Sequence, residues 1–426
     1  MPAVPPPVAD PAELVRFVGP DTDIIVPGPN GEPTGFVDAL EAAAGDLHGV
    51  RVHQLDCQKD RRYHTGCYGD RLRHVSYFLS ADMRAHYEAG GVDLVPNDFH
   101  AIPDLLRRRW RTPLLAVAAS PPDRHGYVSL GLAADYAAAL LGEVPVVVEV
   151  NPNMPRTNGL HTFHLSDALG WAEVESPLSA PAPPPVTDVD RAIAALVAER
   201  IPDGATLQIG IGAVPGLVAG MLGDHRDLGV HTEVLGDAVM GLIESGAVNG
   251  RRKARERGLA TTTIVLGSSE LYEWADENPS LFMLPVDISN DPRVISQHDD
   301  LCSINATMQV DLLGQCASES LGTHYVSSTG GQADFMRGAQ LSRGGQSFIV
   351  THSTAVGGTV SRIVPTLTPG AVVSAHKNLV DKVVTEHGIA ELTGRTLRER
   401  TEALLGIADP AFRDDLERSA KELGYL

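Results

Sequence analysis

Cysteine is scarce. Four residues in 426 (Cys57, Cys67, Cys302 and Cys316) are too few and too scattered for a disulfide framework in a chain this long. Neither a CxxC nor an HExxH spacing recruits them to a metal, and no metal is expected. Basic residues are also in deficit, 34 against 54 acidic, for a formal charge of -20. Nucleic acid and anionic membranes both need a positive face, so neither is an expected partner. No apolar run approaches the roughly 18–20 residues that span a bilayer. The opening MPAVPPPVADPAELVRF has neither the basic nor the apolar region of a secretory leader. The expected compartment is therefore a reducing cytoplasm. His161 and His164, three apart in HTFH, have a spacing that suits a metal only weakly and read as structural.

What is present suits a globular protein of two or three domains, with 43% apolar and 21% charged residues. SPLSAPAPPPVT at 176–187 carries five prolines. Lacking N–H donors and locked in φ, it cannot enter a sheet or a helix interior. It divides the chain into an N-terminal domain (1–175), a linker (176–187) and a C-terminal domain (188–426). On both sides, apolar strand-like runs (DIIVPG, PLLAVAAS, VPVVVEVN, ATLQIGIG) alternate with helical patterns (GFVDALEAAAGD, DVDRAIAALVAERI, DAVMGLIESGAV). Such alternation predicts two open α/β domains with mostly parallel sheets covered on both faces. Ligands of such sheets collect at the carboxyl ends of the strands, so residues there are the ones to inspect.

Two places qualify. QIGIGAVPG at 208–216 ends a strand with Gly210 and Gly212, and Pro215 pre-sets the helix that follows. Its N–H groups can meet an anion or a developing oxyanion. The pattern equally suits a dinucleotide fingerprint, with Glu233 near the ribose-binding position about 20 residues on, or a plain tight turn. The second place is GVHTEVLGDAV at 229–239, where Glu233 interrupts an apolar, β-branched strand. A glutamate there is either working or facing solvent by alternation, and local pattern does not choose.

The segment LQIGIGAVPGLVAGMLGDHRDLGVHTEVLGDAVMGLIESGAV resembles the acetyl-CoA hydrolase/transferase family, close to the 4-hydroxybutyrate and butyrate CoA-transferases. SPPDRHGYVSLG, EVNPNMPRTNG, SINATMQVDLLGQCASESLG, GGQADFMRGAQLSRGG, SRIVPTLTPGAVV and VVTEHGIAELTGRTLRERTEALLGIADPAFR resemble further family segments, in family order, over nearly the whole chain. The resemblance implies a CoA-transferase-like fold with its active site at the domain interface, and a homodimer. It makes Glu233 the acylated carboxylate of a CoA transfer between an acyl-CoA and a small carboxylic acid. Hydrolysis of acyl-CoA is the nearest alternative, and acyl transfer to another acceptor a further one. Coenzyme A enters as substrate, with no tightly bound cofactor. Oxyanion and CoA contacts fall on Gly210, Ile211, Gly212, Ala213, Val214, Met308 and Gly331. Asp334 and Arg337 either support that last loop or pair with each other. Three departures from the family pattern point to altered CoA contacts: Ser328 where a glycine is usual, Val356 where a lysine often follows STA, and SAHKNLVD around Lys377.

Overall fold

The computed structural model describes residues 4–426. The chain forms two compact units: the first runs up to Pro181 and includes Thr261–Ser289, the second comprises Ala182–Ala260 and Asn290–Leu426. This division differs from the expected continuous domain 188–426 in that Thr261–Ser289 groups with the first unit. Backbone pairing is the physical reason. The Ala134 N–H donates to the Thr263 carbonyl (3.0 Å), Val265 to Leu132 (2.8 Å), Leu160 to Met283 (2.9 Å) and Met283 to Asn158 (2.8 Å). The first part of the proline-rich segment is also tied down, with the Ser179 N–H donating to Asn30 Oδ1 at 2.7 Å.

Seven strands form the sheet of the first unit, in the order Val92–Leu94, Leu72–Ser76, Val50–Gln54, Thr22–Val26, Thr112–Ala119, Val146–Val150, Gly170–Glu173. Every neighbouring pair is parallel. Thr22–Val26 and Val146–Val150 are buried at each position, which explains why they read as unbroken apolar runs. Helix Thr34–Ala42 lays Phe36, Val37 and Leu40 on that sheet, in one core with Ile24, Val26 and Val52. Each such side chain contributes about 1.5–3 kcal/mol through burial.

In the second unit the order is Gly229–Val230, Thr206–Ile209, Leu301–Ala306, Gln346–Val350, Lys382–Thr385, Gly388–Glu391. All pairs are parallel except the last, an antiparallel hairpin. Helix Asp188–Ala198 starts on a capping box, the Thr187 hydroxyl accepting from Asp190 N–H (3.2 Å) and the Asp190 carboxylate from Thr187 N–H (2.8 Å). Such a cap contributes about 1 kcal/mol. The strand order reverses at Thr206–Ile209, whose successor in the chain lies on one side and Leu301–Ala306 on the other. A crevice opens at the carboxyl ends of strands flanking such a reversal. The glycine turn and Glu233 both lie at this edge. Among the described residues, no helix is long and apolar enough to cross a membrane.

Candidate active site

Leaving strand Thr206–Ile209, the chain makes its turn at Gly210. The Gly210 N–H donates to the Ile304 carbonyl (2.9 Å), and a Cβ here would stand 2.8 Å from that same oxygen. Gly210 is thus needed for close strand packing, and its N–H is consumed by the sheet. Gly210, expected among the oxyanion and CoA contacts, thus has its N–H engaged within the sheet. Gly212 adopts φ 130°, ψ 174°, which effectively only glycine tolerates, and opens helix Ala213–Met221. Ile211, Gly212, Ala213 and Val214 line a cavity of about 190 Å³, facing Thr307, Thr351, His352 and Arg362. The cavity lies at the carboxyl ends of Leu301–Ala306 and Gln346–Val350, where the sheet topology requires it.

Arg362 was not singled out from the sequence. It is half-buried on this wall, and its Nε has no hydrogen-bond partner among the described residues. Burial presses its pKa below the usual value, against the attraction of Glu386. His352 Nε2 and Asp190 Oδ1, 2.7 Å apart, line the same cavity.

Glu233 sits in a bend between Gly229–Val230 and Val234–Leu235, not inside a strand as its apolar neighbours suggest. The cause is Thr232. The His231 N–H still follows the ladder to the Leu207 carbonyl (3.0 Å), but the Thr232 hydroxyl then takes the Ile209 N–H (3.2 Å). With its hydroxyl in the ladder's place, the backbone turns aside and delivers Glu233 to the sheet edge.

Two donors hold the carboxylate: Asn290 Nδ2 at 2.6 Å from Oε2, and the Gly331 N–H. Burial pushes the Glu233 pKa up to about 7; Asn290 and Gly331 oppose the rise, and the buried charge of Asp334 adds to it. Gly331 stands at the start of helix Gln332–Leu341 with φ -91°, so conformation does not demand glycine there. Space does: a Cβ would fall 1.9 Å from Glu233 Oε2 and 2.4 Å from Asn290 Nδ2. Gln332 links this cluster to the cavity, its Nε2 donating to the Ala306 carbonyl at 3.0 Å.

The structure therefore gathers Glu233 and Gly331 into one cluster and Ile211–Val214 into a neighbouring cavity wall. Met308 lines neither; its N–H donates to the Ala317 carbonyl (3.2 Å). Asp334 is fully buried and acts on Glu233 through its charge. Asn290 carried no sequence signal, lying 57 residues from its partner in DISNDPRV. Ser328 is absent from the positive-φ residues, so replacing a glycine there costs no strain; Gly330 supplies the loop's φ of 56°. Val356 is the more consequential departure, 76% exposed at φ 50°, unusual for a β-branched residue. His161 Nε2 meets the Thr157 (2.8 Å) and Ser129 (3.0 Å) hydroxyls, while its buried Nδ1 has no hydrogen-bond partner among the described residues. A larger cleft of about 1160 Å³ in the first unit holds none of the expected site residues.

A mostly parallel α/β fold with a half-buried glutamate and a glycine turn at one sheet edge fits an acyl-transfer enzyme. Residues 7–168 match the acetyl-CoA hydrolase/transferase N-terminal domain and residues 267–420 its C-terminal domain. The chain is 43% identical to a succinyl-CoA:cyclohexane-1-carboxylate CoA transferase of Geobacter metallireducens, over 98% of its own length and 96% of the relative's. It is 39% identical to a 4-hydroxybutyrate coenzyme A transferase of Clostridium kluyveri, over 92% of each. The crystal structure of RipA from Yersinia pestis superposes with a TM-score of 0.92 at 36% identity, covering 98% of both chains. The chain belongs to the acetyl-CoA hydrolase/transferase family and is an enzyme of that class.

Proposed function

We propose that the protein exchanges coenzyme A between an acyl-CoA and a free carboxylic acid, with Glu233 as the covalently acylated carboxylate. The Glu233 oxygen attacks the thioester carbonyl. The C–S bond breaks, CoA leaves as thiolate, and an acyl-glutamyl anhydride remains. The thiolate then attacks the glutamyl carbonyl, releasing the first acid and leaving a glutamyl-CoA thioester. A second acid runs the sequence in reverse, so one difficult exchange becomes several nearly isoenergetic steps.

The observation that carries this reading is the cradle of Glu233, a carboxylate held by Asn290 and the Gly331 N–H at the carboxyl edge of the sheet. Those donors orient the nucleophile. Free N–H groups at the start of helix Ala213–Met221 suit an oxyanion, each preorganised donor contributing about 3 kcal/mol. Arg362 in the adjoining cavity offers a cation to the anionic substrate. The relatives named as CoA transferases support transfer as the overall reaction.

Incubation with acyl-CoA, borohydride reduction and peptide mapping test the covalent route. Reduction at Glu233 is expected; turnover with an unmodified Glu233 peptide would overturn it. Product analysis with and without acetate separates transfer from hydrolysis.

A further inference from the structure

His231, Glu256 and His298, all in the second unit, converge so that one ligand atom from each lies within 4.8 Å of the others. The imidazoles of His231 and His298 face each other with centroids 4.8 Å apart. His298 is fully buried, and neither of its ring nitrogens has a hydrogen-bond partner among the described residues. Glu256 Oε2 is buried and equally unsatisfied, while Oε1 lies 3.4 Å from Arg255 Nε. Its backbone is held at φ 40°, a conformation that non-glycine residues adopt only when the surroundings impose it. A fully buried, unpartnered imidazole and an unpartnered carboxylate oxygen that converge on one point beside a second imidazole call for a ligand that satisfies both.

We propose that His231, His298 and Glu256 bind one divalent transition-metal ion of Zn²⁺ type. Two imidazoles and one carboxylate are a zinc donor set, with the fourth position open to water, whereas Ca²⁺ and Mg²⁺ take oxygen ligands. With metal–ligand bonds of about 2.0–2.2 Å, ligand atoms lie roughly 3.4 Å apart, so the ion draws the three side chains inward by up to about 1.4 Å. Two cations act on His298: Arg255, which lies against Glu256 Oε1, and Lys253, whose Nζ is committed to the Val230 and Leu259 carbonyls, both at 2.8 Å.

The ion would tie three separate stretches of chain together. His231 lies two residues before Glu233, Glu256 belongs to the loop 250–259, and His298 leads into strand Leu301–Ala306. The site therefore acts as a clamp that positions the segment carrying Glu233.

The test uses the full chain, stripped with a chelator and titrated with Zn²⁺ alone or Co²⁺ alone. One equivalent of Zn²⁺ by elemental analysis, a raised thermal midpoint and the strong visible bands of four-coordinate Co²⁺ are expected. X-ray absorption on the Zn²⁺-loaded protein should show two imidazole ligands. His298→Asn and Glu256→Gln should each weaken binding by more than about tenfold. Failure of the unmodified protein to bind a stoichiometric ion overturns the proposal. So does an absorption spectrum without imidazole, or undiminished binding in both variants, which would place the ion elsewhere, for example at Asp60, His64 and His86. None of these readouts depends on the identity of the acyl acceptor or on covalent labelling.

Discussion

Replacing Gly331 with alanine adds one methyl group at the point where the candidate site is tightest. The backbone at φ -91°, ψ 4° accepts alanine without strain, so the perturbation is purely steric. The new Cβ would lie 1.9 Å from Glu233 Oε2 and 2.4 Å from Asn290 Nδ2. Ordinary contact begins at roughly 3.3 Å, so the carboxylate must retreat by about 1.4 Å or give up the Asn290 bond. A misplacement of about 1 Å can cost on the order of 100-fold in rate, or about 2.7 kcal/mol of barrier. The assay is kcat for acyl-CoA plus acetate, read beside urea unfolding of the same variant. Gly331→Ala should lower kcat by at least about 100-fold while destabilising by only about 1–3 kcal/mol. In a Glu233→Ala background the same substitution should cost less stability, because the colliding carboxylate is gone and Asn290, released from it, can turn aside. Activity within a few-fold of the parent, or an equal stability cost in both backgrounds, would refute the reasoning.

Gly212→Ala places a Cβ at φ 130° and should destabilise the start of helix Ala213–Met221 by about 1–3 kcal/mol, seen as a lower urea midpoint and weaker CoA binding. Glu149, whose carboxylate takes the Gly35 N–H (3.2 Å) and the Phe36 N–H, has its pKa pushed by burial from 4.5 to about 7 despite those bonds. Because the folded value lies above the unfolded one, its contribution to stability is full below about pH 4.5 and is lost as pH rises to about 7. Glu149→Gln keeps an acceptor for those amides and should flatten this loss between pH 5 and 7 in urea midpoints, by an amount on the order of 3 kcal/mol or less.

Strands such as Thr22–Val26 and Val146–Val150 announced themselves because burial on both faces leaves an apolar run that needs no partner to be recognised. Helix Asp188–Ala198 was equally legible, since Thr187 and Asp190 form its cap within four residues of chain. The glycine turn and Glu233 stood out as residue types that are costly unless used, and the chain-wide family pattern selected a nucleophile among three local readings.

Tertiary structure decided the rest. Local sequence could not show that Thr261–Ser289 joins the first unit, because an amphipathic helix between strands fits either sheet. It placed Glu233 within a strand, since it could not foresee the Thr232 hydroxyl replacing a ladder bond. Asn290, Arg362 and the His231–Glu256–His298 group were invisible for the same reason: single polar residues acquire meaning only when folding buries them beside a distant partner. The sequence thus determined which carboxylate to examine. Only the fold determined that Gly331 must be glycine, not for its backbone angles but because Glu233 and Asn290 occupy the space a side chain would need.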